Sequence, residues 1–211
     1  MSYVTHLLLG YGLSFIGSLP FGIINMTTAH TAIRKGLTAA LWFAFGASLV
    51  EFLQVLIALK FTWIITENPT TERALQTISI LVFFGAGAYF LFFAKSKPPS
   101  TKPETPGKRR HELLKGMLVS TLNAMAIPYW IFYGTLLSAQ GWLEKDNDLV
   151  LVFAAGTVLG TFSLLALYAL LGDKILRKSE QVTRWVNKFI GLVLFGFGVY
   201  QLWSLWEGWT A

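Results

Sequence analysis

Polar residues punctuate this chain at long intervals. Between them the apolar residues run on for about twenty positions, the length that crosses ~30 Å of hydrocarbon at 1.5 Å per residue. Six such runs can be marked off: Leu7 to Ala29, Ala39 to Leu59, Leu75 to Ala94, Gly116 to Ser138, Leu149 to Leu171 and Phe189 to Trp206. The pattern predicts an all-α integral membrane protein with six transmembrane helices. A transmembrane β-barrel would need strands of about ten residues in strict alternation. Runs such as Ile80-Leu81-Val82-Phe83-Phe84 and Leu149-Val150-Leu151-Val152-Phe153 do not alternate.

The six runs are not independent of one another. The third and sixth both carry Phe-Gly-x-Gly-x-Tyr, as Phe84-Gly85-Ala86-Gly87-Ala88-Tyr89 and Phe195-Gly196-Phe197-Gly198-Val199-Tyr200, an offset of 111 residues. The second and fifth align at 110, with Phe43-Ala44-Phe45-Gly46 against Phe153-Ala154-Ala155-Gly156. Two matches at nearly one spacing argue for an internal duplication. A unit of three spans is odd, so its second copy enters the membrane from the opposite side. The expected plan is two inverted three-helix repeats, residues 1–94 and 116–211, joined by a linker over 95–115. Inverted repeats commonly surround a midplane site in secondary transporters. A duplicated membrane scaffold without transport is the competing reading.

Composition sharpens this without changing it. Hydrophobic residues make up 54% of the 211 and charged ones only 13%, about half the share in soluble domains. The net charge of +6 does not point to nucleic acid, because the basic residues sit in short connections and not on one amphipathic face. Placed on a six-span topology with the N-terminus outside, fourteen Lys and Arg lie on the inner side, and only Lys60, Arg73 and Lys145 on the outer. Cytoplasmic loops retain such residues, so both termini are expected on the non-cytoplasmic side. Trp203, Trp206 and Trp209 close the last run, and Trp63 and Trp142 stand near other outer ends, where indole prefers the interface. The stretch Lys95 to Lys115 holds four prolines and seven basic residues and reads as a solvated cytoplasmic linker. The first run lacks the basic flank and small-residue cleavage site of a secretory signal, so it is expected to be retained as a helix.

Chemistry is expected at three places. The first run is interrupted by Gly17-Ser18-Leu19-Pro20-Phe21-Gly22, followed by Asn25, Thr27 and Thr28. A proline within a helix removes a donor and clashes with the preceding turn, so the helix should break there. Freed backbone groups at membrane depth are tolerated only against protein or a wet cavity. The fourth run has the corresponding interruption, Asn123 followed by Pro128. The third place is Glu51, the one acidic residue well inside a run. A charge at the bilayer centre costs at least ~2.5 kcal/mol even on lenient scales, so such a residue normally faces the bundle interior and serves function. A carboxyl that is neutral toward one side and ionised toward the other would suit a proton carrier. Its counterpart in the second repeat is Thr161, so the halves differ where titration can occur. The bland alternative is a neutral Glu51 bonded to a neighbouring helix, with Gln54 one turn away.

Other chemistry is poorly provided for. The chain has no Cys, which removes disulfides and thiolate metal sites. His6, His30 and His111 are not at metal-ligand spacing, and no ATP-binding motif occurs. Neither cofactor nor metal is expected, and no enzymatic activity. Gly156-x3-Gly160 permits close helix packing without any ligand.

At these residues the chain resembles the lysine exporter superfamily, the LysE/RhtB-like translocators of bacterial membranes. The resemblance covers nearly the whole chain. It rests on six spans, the break in the first helix followed by Arg34-Lys35-Gly36, the stretch Gly46-Ala47-Ser48-Leu49-Val50-Glu51, Asn123, and the basic linker. The family signature in the first helix is Pro-Gly-Pro, where this chain has Leu19-Pro20-Phe21-Gly22. In the fourth span the family often has Asn-Pro-Lys, where this chain has Asn123-Ala124-Met125. The resemblance implies a multi-pass protein of the bacterial inner (plasma) membrane that exports amino acids or related small zwitterions in exchange for protons. It puts Glu51 at the coupling position, and Pro20, Gly22, Asn25, Thr28, Asn123 and Pro128 along the substrate path. An inorganic cation exporter of the same broad clan is the alternative within transport. A homo-oligomer is compatible with the sequence.

Overall fold

The computed structural model describes residues 2–19, 22–66, 80–93 without 82 and 86, 108–172 without 124, and scattered positions between 188 and 206. Pro20, most of the linker and much of the third and sixth runs lie outside the described residues. Every regular element among those described is helical. By contact the chain divides into two compact units that interleave along the sequence: Met1–Phe61 with Pro99–Lys178, and Thr62–Pro98 with Ser179–Ala211.

In the first unit the first run forms two helices, α1 (Tyr3–Gly17) and α2 (Ile23–Lys35). The interruption expected from its proline is therefore present. The Ser2 hydroxyl caps α1 by accepting from the Thr5 amide at 3.3 Å, which satisfies one of the donors left over at a helix start. A single residue, Gly36, with φ 91°, turns the chain from α2 into α3 (Leu37–Thr66). That backbone conformation favours glycine. The fourth run is likewise two helices, α4 (Arg109–Thr121) and α5 (Ala126–Ala139). Residues 109–115, counted with the linker in the sequence, thus make the opening turns of α4. Asp146 caps α6 (Asn147–Leu170) by accepting from the Asp148 and Leu149 amides.

Glycines set how closely these helices pack. A Cβ on Gly10 of α1 would strike the Phe153 carbonyl of α6, and one on Gly156 would strike the Leu7 carbonyl. The pair α3 and α4 repeats this: Gly116 lies against the Phe43 carbonyl and Gly46 against that of Leu113. The two sets correspond residue for residue, Gly10 and Leu7 to Gly116 and Leu113, Phe43 and Gly46 to Phe153 and Gly156. The buried stripes agree, His6, Gly10 and Ser14 on α1 and Glu112, Gly116 and Ser120 on α4. In the second unit the duplicated Phe-Gly motifs meet. The Phe84 and Phe195 rings are 4.7 Å apart, edge to face, Gly87 abuts the Phe195 backbone, and Gly198 abuts the Phe84 ring.

Two described helical stretches, Leu37–Ile64 and Asn147–Leu170, are long and apolar enough to cross a bilayer. Along α3 the side chains of Phe45, Leu49, Leu53, Ile57, Phe61 and Ile64 are exposed at three- and four-residue spacing, one continuous apolar stripe. A face of this kind matches hydrocarbon and not water.

Candidate functional site

Glu51 lies midway along α3 and turns toward α1 and α6. Ser14 of α1 donates to its Oε1 at 3.0 Å, and Thr161 of α6 donates to its Oε2. The Ser14 and Thr161 hydroxyls are themselves 2.5 Å apart, and both residues are buried. The Trp130 indole of α5 faces the same carboxyl. Four helices therefore converge on one acidic group, and both of its oxygens are engaged. Gln54, the expected intrahelical neighbour, does not supply these bonds. Its Nε2 instead donates to the Ser120 carbonyl of α4 at 3.1 Å.

Thr161 is the residue that the repeat aligns with Glu51, at an offset of 110. The two counterparts thus touch. Beside them Gly156 and Gly160 let α1 come close to α6, which seats Ser14 next to Thr161: a Cβ on Gly160 would meet the Tyr11 carbonyl. An aromatic wall stands behind the carboxyl. Trp130 packs edge-on against Phe153 at 5.8 Å and against Tyr129 at 5.0 Å, arrangements that aromatic quadrupoles favour. The Tyr129 hydroxyl donates to the Leu13 carbonyl at 2.8 Å, and its ring tip occupies the space that a side chain on Gly17 would need.

The first break lies one turn beyond Ser14. Its carbonyls are satisfied by side chains from other helices, Ser18 by the Asn25 amide at 2.5 Å and Leu19 by the Tyr168 hydroxyl at 2.8 Å. Asn25 is thus placed at the break as expected, and Gly22 is the exposed residue opening α2. Thr28 is buried but donates to the Ile24 carbonyl of its own helix. At the second break the Asn123 side chain accepts from the Met125 amide at 3.4 Å, a local turn in which asparagine replaces a helical carbonyl. Pro128 sits in the first turn of α5, where its missing N–H costs nothing.

Glu51, expected at the coupling position, stands at a convergence of helices, and of the residues expected on the substrate path Asn25 and Asn123 lie at the two breaks. Sequence reasoning did not single out Ser14, Trp130, Tyr129 or Tyr168. Nowhere among the described residues do three His, Asp or Glu side chains gather as a metal ion would need. What the arrangement offers is one carboxyl with a set of hydroxyl partners, beside two helix ends whose backbone groups are met by side chains. That is suited to taking up and releasing a proton or a small cation.

The profile of the LysE type translocator family matches residues 15–204. No curated protein and no solved structure matches the chain.

Proposed function

The chain belongs to the LysE type translocator family, whose members are membrane exporters of amino acids or similar compounds, and we propose that it exports amino acids or related small zwitterionic metabolites by exchange for protons. Glu51 is the coupling residue in this reading. With a proton bound, its carboxyl is a neutral hydrogen-bond partner for Ser14 and Thr161. Without it, the carboxylate attracts the ammonium group of a substrate in a setting where water competes weakly. Binding of proton and of substrate then exclude each other, which is the requirement for exchange. The observation that carries the reading is the convergence of Ser14, Thr161 and Trp130 on Glu51.

Two inverted three-helix repeats supply the moving parts. Supporting this are the matched glycine contacts of α1 with α6 and α3 with α4, the reciprocal contact of the two Phe-Gly motifs, and a helix break in each half. Rocking of one set against the other would open the site alternately to each side. The substrate path runs past Pro20, Gly22, Asn25, Thr28, Asn123 and Pro128. The protein lies in the bacterial inner membrane with both termini on the non-cytoplasmic side.

The test is solute-dependent proton movement in proteoliposomes, with amino acids screened against wild type and Glu51→Gln. The expected result is proton movement with wild type for at least one amino acid, and none with a Glu51→Gln protein that elutes as a folded species. Equal proton movement in the variant would remove Glu51 from coupling. Silence of wild type with every amino acid would remove the substrate class.

A further inference from the structure

Glu112 falls within the basic stretch 95–115 expected to be a solvated linker, yet it is fully buried in the first turn of α4. Its Oε1 receives the Lys35 ammonium at 2.6 Å. Lys35 lies in the last turn of α2, so this ion pair ties the end of the first broken helix to the start of the second. Each charge stands at the helix end whose dipole favours it, the carboxylate at an N-terminus and the ammonium at a C-terminus.

We propose that Lys35 and Glu112 form a latch that closes the cytoplasmic side of the pathway and must open for that side to be reached. Four observations lead there. The pair joins the two discontinuous segments, one from each half of the chain, so neither can swing away from the other at this end while the pair is intact. Its membrane side is the one that carries most Lys and Arg residues, Arg34 and Lys115 among the nearest in sequence. Its satisfaction is incomplete, because the second carboxylate oxygen, Oε2, is buried with no hydrogen-bond partner. A buried pair with an unmet lone pair is weak evidence for stability, and it regains water on opening, which suits an element with two states. Finally, the corresponding stripe of α1 carries His6 where α4 carries Glu112. His6 has only the Ser2 carbonyl of its own helix at 3.2 Å, and its Nε2 is unpartnered. The ionic tie is a property of one end.

The absence of Cys makes a direct test clean. A single cysteine is placed at Thr31, buried one turn before Lys35, and its reaction with a membrane-impermeant maleimide is timed from each face in inside-out and right-side-out vesicles. The expected result is slow reaction in the Thr31→Cys parent and a rise of about tenfold from the cytoplasmic face when Glu112→Gln or Lys35→Gln is added, a size typical of a biased two-state element. The exchanged pair, Lys35→Glu with Glu112→Lys, should recover part of the slow reaction. Recovery is partial because each charge then sits at the unfavourable helix end. Reaction as slow as the parent's in both neutralised variants overturns the latch. So does a rise that is equal from both faces, or one that the exchanged pair does not reduce. Lys35→Gln carries the test should Glu112→Gln fail to fold. No substrate is involved, so a failure of the amino-acid assignment and a failure of the latch would be told apart.

Discussion

Replacing Gly156 by alanine is the sharpest perturbation of the helix packing that builds the site. In a helix, alanine is ordinarily the better residue, by roughly 0.5–1 kcal/mol over glycine. At Gly156 the added methyl would strike the Leu7 carbonyl and press on the Tyr11 amide. Both are backbone atoms and cannot rotate away, so α1 and α6 must separate, and overpacking of this kind costs about 1–3 kcal/mol. The net expectation is a loss of about 1–2 kcal/mol after the helix gain is subtracted. Gly12, two residues from Gly10 and so on the other side of α1, is the internal control, since a Cβ there would meet nothing within 4 Å. Gly12→Ala should therefore stabilise by about 0.5–1 kcal/mol. Gly46→Ala, whose methyl would strike the Leu113 carbonyl, should track Gly156→Ala. The measurement is reversible unfolding of the purified protein in mixed micelles, followed by helical circular dichroism. Opposite signs for Gly156→Ala and Gly12→Ala are required. The same sign for both would refute the close backbone approach and, with it, the packing that seats Ser14 beside Thr161.

Two further outcomes are expected. Thr161→Val keeps the shape of the side chain but removes a donor to Glu51, and hydrogen bonds to charged groups are worth about 1.5–3 kcal/mol. Initial transport rates should therefore fall by roughly tenfold or more in Thr161→Val and be largely kept in Thr161→Ser, whereas a fully active valine variant would show that the contact is incidental. Cysteines introduced singly at Gln140 and Lys108, both exposed, should be labelled from opposite faces, Gln140→Cys in intact cells and Lys108→Cys only after permeabilisation. The reverse result would invert the topology.

How much could be read from the chain depended on whether a residue's cost was local. Pro20 has a local cost, so the break between α1 and α2 was legible although nothing in the sequence said what would satisfy it. The Leu19 carbonyl is met by Tyr168, 149 residues away, a partner that only tertiary packing selects. Glu51 was legible because ionisable groups are expensive in hydrocarbon. Its partners were not, because Ser and Thr in membrane helices usually donate to their own backbone. Thr27, Thr28, Thr31, Ser48, Thr121 and Thr135 all do so here. Nothing in sequence separates Ser14 from these six, and Thr161 stood out only as the counterpart of Glu51 at an offset of 110, not as its partner. Glu112 was hidden in a different way: six Lys and Arg residues in the seventeen positions before it made the stretch read as solvated, and a carboxyl among them suggested nothing buried.

Under the proposed inverted-repeat plan, the contact between Glu51 and Thr161 also explains why the two copies differ at that point. In two copies related by a two-fold axis, only a residue on the axis can touch its own counterpart. A carboxyl placed there is equidistant from both halves, so its charge state acts on each alike, a useful property in a site that must open to either side. Had the second copy also kept a glutamate, two carboxyls would lie in hydrogen-bond contact, and like charges that close cannot both ionise. They would titrate as a pair sharing one proton across a broad range. Threonine in the second copy removes the repulsion and supplies a hydroxyl that can donate to the carboxylate or accept from the acid. One proton site with a two-way partner is what the proposed proton exchange asks of this position. On that plan the divergence of Thr161 from Glu51 is a requirement of their meeting, while Gly46 and Gly156 each leave room for a neighbouring helix backbone.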